Sequence, residues 1–178
     1  MLYPKKAVPN LSLPTLDHGS FDLANYAGER GSIICFYRGY HCPACATYLM
    51  QLQDLQSEFE SRGVKVIAVS SDGQERARLM GDKIKADTLP IAYDLPLEKA
   101  REWGLYISQS RGKTSINIEE PALFSEPGLF MVTPQNTLYY GFVQTMPFSR
   151  PNWQELLGAL DFVIKNDYPA RGAYTGAL

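Results

Sequence analysis

Cysteine is scarce in this chain of 178 residues: there are three, at positions 35, 42 and 45. Three thiols do not make a disulfide framework. Zinc asks for four ligands, and one cysteine pair, one strand cysteine and two histidines make a poor set for it, so no metal is expected. Long hydrophobic runs are missing as well. The strongly apolar stretches, such as Ile33–Tyr37, are strand-sized, far short of the roughly 18 residues that a membrane-spanning helix needs. The opening Met1-Leu2-Tyr3-Pro4-Lys5-Lys6 has no apolar core of an export signal, so a cytoplasmic protein without a membrane is expected. In reducing cytosol a cysteine pair is more at home in catalysis than in structural bridging. Charge of one sign is lacking too: 17 Lys and Arg against 19 Asp and Glu leave a net charge of -2, and no basic stripe tracks nucleic-acid phosphates. No glycine loop of phosphate-cradling type, repeat or low-complexity segment is present, so no cofactor is inferred.

What is there reads as one domain spanning residues 1–178, a length suited to a single well-buried core. Leu11–Pro14 and Phe21–Leu23 form an expected N-terminal hairpin around Asp17-His18-Gly19-Ser20. Ser32-Ile33-Ile34-Cys35-Phe36-Tyr37 lacks alternation, as a central strand buried on both faces does. From Cys42 the period becomes helical, with Cys45, Leu49, Leu52, Leu55 and Phe59 on one stripe and Gly63 as the stop. Val64–Ser70 is the next strand, which completes a parallel crossover unit and an α/β beginning. A polar helix over 74–84, a short strand over 91–94 and a short helix over 97–103 follow. Ile107–Phe124 has weak periodicity and reads as an irregular insertion. Leu129–Val132 and Leu138–Val143 make an antiparallel hairpin around Thr133-Pro134-Gln135-Asn136. A last helix runs over 152–165, capped by Asn152.

The chemistry concentrates in Cys42-Pro43-Ala44-Cys45. A thiol acts as a nucleophile only as thiolate, and a helix N-terminus favours that anion through its free N–H groups and dipole. Cys42 sits at such a terminus, after a buried strand and the turn Arg38-Gly39-Tyr40-His41, and Pro43 suits the first helical turn. Arg38 and a protonated His41 are the expected supporting cations. Cys45, one turn on and on the apolar stripe, is within reach for a redox-active disulfide, which separates an exposed attacking sulfur from a shielded resolving one. Cys35 reads as an ordinary buried thiol.

These residues resemble a family. Ala7-Val8-Pro9-Asn10-Leu11-Ser12-Leu13 is similar to the N-terminal segment of the peroxiredoxin-like, AhpC/TSA branch of the thioredoxin superfamily. Phe36-Tyr37-Arg38-Gly39-Tyr40-His41-Cys42-Pro43-Ala44-Cys45 resembles the FYRGxxCPxC signature of one of its subgroups, and Pro127–Pro134 the strand that follows the superfamily's cis-proline. The resemblance implies a thioredoxin-like fold: a central mixed sheet flanked by helices, with an N-terminal hairpin and an insertion before the cis-proline strand. It implies a thiol oxidoreductase with antioxidant, peroxide-reducing capacity, a disulfide or hydroperoxide substrate, and an external thiol reductant of thioredoxin or glutathione type; oligomers are compatible with it.

Two positions depart from typical peroxiredoxins. Gly39 stands where the family carries Thr or Ser, and Pro127 where it carries an Arg. Glu126-Pro127 fits a cis-proline opposite the pair, the alternative being that Pro127 merely begins a strand. Together they tilt the expectation toward disulfide exchange. Strand 32–37 also offers no carboxylate to take a proton beneath Cys45. A rival from another class is a non-catalytic interaction module, binding through Met146-Pro147-Phe148-Ser149-Arg150-Pro151.

Overall fold

The computed structural model describes residues 2–177. A small hairpin opens the chain, β1 (Ser12–Pro14) pairing antiparallel with β2 (Ser20–Asp22), followed by the short α1 (Leu23–Tyr26). Then come β3 (Gly31–Phe36), α2 (Pro43–Asp54), α3 (Gln56–Ser61), β4 (Val64–Val69), α4 (Gln74–Ile84), β5 (Ile91–Ala92) and α5 (Leu97–Glu102). The second half holds β6 (Ile107–Gln109), β7 (Leu123–Ser125), β8 (Gly128–Val132), β9 (Leu138–Val143) and α6 (Trp153–Asn166).

Five strands form the central sheet in the order β5-β4-β3-β8-β9. β3, β4 and β5 are parallel, and β8 and β9 join antiparallel, so the sheet is mixed as expected. β3 lies in the middle, and all six of its residues are buried, which is why its sequence shows no alternation. Its side chains still alternate between two cores. Ile33, Cys35 and Tyr37 face Leu49, Leu52, Met80, Trp153 and Leu157 of α2, α4 and α6. Ile34 and Phe36 face Leu11, Phe21, Trp103 and Phe130 on the other side.

Two sequence expectations change. The helix expected to run unbroken to Gly63 is interrupted at Leu55, where α2 ends and α3 begins. The break turns Gln56 inward as well, beside a Leu55 that stays packed against the core: the Gln56 amide donates to the Thr88 carbonyl and accepts from the Thr88 hydroxyl, and Gln56 is buried. The insertion is not wholly irregular, since β6 and β7 pair antiparallel from Ile107↔Ser125 to Gln109↔Leu123. Three-residue strands are too short to print a period on the sequence. The polar helix of α4 and the Asn152 cap of α6 stand where the sequence puts them, Asn152 accepting from the N–H groups of Gln154 and Glu155. Among the described residues no helix is long and apolar enough to cross a membrane.

Leu49, wholly buried on α2 against the sheet, fixes the helix that carries the cysteine pair. Leu49→Ala is expected to cost about 2–5 kcal/mol of stability by removing transfer energy and leaving a cavity; urea denaturation measures it.

Candidate active site

The sheet topology delivers four segments to one edge. β3 and β4 end together, Phe36 opposite Val69. β8 starts there, Gly128 opposite Phe36, and β9 finishes there, Val143 opposite Gly128. The turn 37–42, the loop 70–73, the dipeptide 126–127 and the loop 144–152 therefore meet at the carboxyl ends of the parallel strands, where sites gather in such sheets.

Cys42 is the N-cap of α2, with Pro43 in the first turn. Its sulfur accepts from the Cys45 backbone N–H at 3.3 Å and from the Cys45 thiol at 2.7 Å; both cysteines are free thiols. These interactions lower the Cys42 thiol to a pKa of about 6. The thiol of Cys45 contributes most, then its backbone N–H, then the charges of Arg150 and Arg38, all against the opposing effect of burial. Cys45 moves the other way, pushed up by burial and by the anion it bonds. At neutral pH the pair is a thiolate held by a thiol, the division of roles that the helix-start position implies. The expected contrast in exposure is absent: Cys42 is 2% exposed and Cys45 0%, so neither sulfur is open. Cys35 is buried on β3, its thiol pushed up to about 12 by desolvation.

The cation nearest the sulfurs is Arg150, not one of the two expected from the motif. Its Nη2 lies 3.1 Å from Cys45 Sγ and 3.9 Å from Cys42 Sγ. Arg38 turns instead into an ion-pair cluster, 3.1 Å from Glu126 and 3.6 Å from Glu120, with its guanidinium over the Phe124 ring. It reaches Cys42 only as a longer-range charge. The protonated His41 is overturned: its ring is fully buried, edge-on to Phe124, and burial with the charges of Arg38 and Arg76 lowers its pKa to about 3. His41 is neutral at physiological pH and supplies no charge.

Pro127 is also corrected. No cis peptide bond occurs among the described residues, so Glu126-Pro127 is trans and Pro127 simply precedes β8, the permitted place for a proline. It lines a small cavity, about 10 Å³, with Cys35, Tyr48 and Arg150.

Gly39 has a steric explanation. Its φ of +136° is glycine territory, and a Cβ there would stand 2.7 Å and 2.9 Å from the carboxylate oxygens of Asp72. Asp72, at the end of β4 and 2% exposed, accepts the Tyr40 N–H at 2.6 Å and pairs with Arg76 at 2.9 Å. The next turn closes when the Cys42 N–H donates to the Gly39 carbonyl. A carboxylate thus occupies the space where a hydroxyl-bearing side chain would stand, and it fixes the turn that feeds Cys42.

Sequence reasoning missed Arg150, Asp72 and the two glutamates. Arg150 lies 105 residues beyond Cys45 in a loop with no periodic signal; its only mark is to be a lone cation in an apolar, proline-bounded segment. Asp72 follows the strand parallel to β3, and that adjacency becomes visible only once strand order is known. Behind Arg150, Tyr48 of α2 donates its hydroxyl to the Pro151 carbonyl and stacks on Trp153 of α6, ring centroids 4.4 Å apart.

Gly39→Thr, which restores the side-chain type of typical relatives, is expected to destabilise rather than improve the site. The backbone conformation alone costs about 1–3 kcal/mol, before the clash with Asp72, as urea unfolding will show. Iodoacetamide alkylation of Cys42 tracks its thiolate: the rate should reach half its plateau near pH 6 and fall below it, and Arg150→Gln should move the midpoint upward. A midpoint near the free-thiol value of about 8.5 contradicts the geometry.

Comparison with known proteins places this chain in a family. The model of the AhpC/TSA family matches residues 4–140. A 1-Cys peroxiredoxin of Zea mays is 33% identical over 171 residues, covering 88% of this chain and 71% of that one. Among solved structures, a mutant of peroxiredoxin 6 from Arenicola marina superposes with a TM-score of 0.76 at 19% identity, over 94% of this chain and 76% of that one. A yeast mitochondrial 1-Cys peroxiredoxin, described with its thiol resolving mechanism via glutathione/thioredoxin systems, gives 0.72 at 21% identity, over 94% and 78%. The chain belongs to the AhpC/TSA family and is a peroxiredoxin-type thiol oxidoreductase built on the thioredoxin-like fold.

Proposed function

We propose that the chain, acting as one domain, reduces hydroperoxides with Cys42 as the attacking thiolate and Cys45 as its resolving partner. The observation that carries this reading is the reduced pair itself: the Cys42 sulfur lies 2.7 Å from the Cys45 thiol, which lowers its pKa, with a guanidinium against both. Cys42 attacks the terminal peroxide oxygen, forming a sulfenic acid while the O–O bond breaks and the alcohol or water leaves with a proton from solvent. Arg150 stands where it can meet the charge that develops on the leaving oxygen, a type of interaction worth about 100-fold or more in rate. Cys45 then attacks Cys42 Sγ, water departs, and a Cys42–Cys45 disulfide remains.

The 2% and 0% exposure of the two cysteines favours a small oxidant over a protein disulfide in this first step. Thiol–disulfide exchange enters in the second half of the cycle, when an external dithiol or glutathione returns two electrons. The yeast relative, described with glutathione/thioredoxin systems, supports a reductant of that type. The maize and yeast relatives are named 1-Cys enzymes, whereas Cys45 gives this chain an internal resolver. Three free cysteines suit a reducing compartment such as the cytoplasm. Arg38 and His41 act as structural supports of the turn, with Pro43 starting the helix and Pro127 lining the small cavity beside Arg150.

Stopped-flow oxidation with hydrogen peroxide tests the assignment. Cys42→Ser should lose the reaction, and Arg150→Gln should slow it by about 100-fold. Cys45→Ser should retain the first oxidation and stall as the sulfenic acid, visible as one added oxygen by mass. If wild-type Cys42 reacts no faster than free cysteine, the peroxidase reading fails.

A further inference from the structure

The segment that carries Arg150 has an arrangement that the peroxide chemistry alone does not use. It leaves the sheet at Gln144, whose N–H donates to the Pro127 carbonyl, and rejoins structure at Pro151, whose carbonyl is held by the Tyr48 hydroxyl. Between these anchors the side chains point two ways. Arg150 goes inward to the sulfurs and also donates to the Pro147 carbonyl. Met146 and Phe148 go outward, 55% and 82% exposed, contributing no core to hold the segment down. The segment's own bonds are local: Met146 N–H to the Gln144 side chain, Ser149 N–H to the Met146 carbonyl, and the Gln144 amide to the Ser149 carbonyl.

Arg150 is thus the segment's inward tether, and its counter-anion is unusual. Among the described residues no Asp or Glu pairs with it; the other group facing its guanidinium is the Tyr48 ring, 5.6 Å away. The negative charge at hand is therefore that of the sulfur pair. Arg150 also lines the outer groove beside α2, together with Ala44, Tyr48, Phe148 and Pro151, so it stands between that groove and the sulfurs.

From these contacts we infer that residues 144–151 form a redox-gated latch: closed on the dithiol by Arg150, and released when Cys42 and Cys45 join as a disulfide. The inference rests on the proposed roles of the two cysteines. Forming the disulfide removes two electrons and two protons from the dithiol pair, counted as thiols, and leaves both sulfurs uncharged. The guanidinium then loses its ion partner and keeps only the weak bonds of its own segment. Release serves the second half of the cycle. A reducing thiolate has to reach one sulfur of a disulfide that the closed segment buries, and opening at Arg150 uncovers it from the groove. Two electrons from that reductant break the S–S bond, the thiolate returns, and the latch closes again.

Hydrogen exchange of the full chain, read by mass spectrometry, tests this. The disulfide is formed with diamide, so that the measurement does not depend on peroxide turnover, and is verified by a loss of 2 Da. Amides of segment 144–151, with Ser149 and Met146 as reporters, should exchange about tenfold faster in the disulfide form than in the dithiol, while those of β3 and β4 stay unchanged. In Arg150→Gln the segment should exchange fast in both forms, and in Cys42→Ser it should be fast without any oxidant. Equal exchange of the wild-type segment in dithiol and disulfide forms, or a persisting difference in Arg150→Gln, overturns the latch. A chain that fails with peroxide yet shows the diamide-driven release loses the proposed function and keeps the gate.

Discussion

An anion kept out of water must be held by donors, and the rest of this site follows from that requirement. The Cys42 sulfur is almost wholly buried yet ionises readily, because burial is outweighed by a thiol, a backbone N–H and nearby guanidinium charges. The neighbouring thiol is the largest of these, so the residue proposed as resolver also stabilises the anion of the proposed nucleophile. The two roles are coupled: the same proton that Cys45 retains is the one that stabilises Cys42.

Holding such an anion demands convergence from distant parts of the chain, and the mixed sheet supplies it. Parallel β3 and β4 bring the turn before Cys42 next to Asp72, while antiparallel β8 and β9 return the chain so that Arg150 arrives at the same edge. The contact between Arg150 and Cys45 spans 105 positions. It needs no long-range design beyond strand order.

What the sequence discloses is what is local. Cys42 at a helix start, Pro43 in its first turn, the unalternating central strand and the amphipathic last helix are all set by neighbours within a few residues, and each stands in the structure. What it conceals depends on contacts across the chain. His41 looks like a supporting cation beside a cysteine, and only its burial against Phe124 and two arginines makes it neutral. Arg38 looks like the thiolate's cation, and only Glu120 of the insertion and Glu126 before β8 show why it turns away. Gly39 reads as a lost hydroxyl, whereas Asp72 fills the place. Pro127 reads as a substrate-aligning cis-proline and is a trans residue ahead of β8. The part of the tilt toward disulfide exchange that rested on a cis Pro127 falls away, while the hydroxyl absent at Gly39 stays absent; in the proposed cycle, exchange is the regenerating half.

The stack of Tyr48 on Trp153 has a practical side. Tyr48 touches Arg150 through its ring and Pro151 through its hydroxyl, and the indole N–H of Trp153 donates to the Tyr48 carbonyl. Under the proposed latch, release of Arg150 would change the surroundings of that indole, while Trp103 lies in the core on the opposite side of the sheet. Of the chain's two fluorophores of this kind, one then stands beside the latch and the other away from it, so opening of the latch would be legible as a change in one indole against the other.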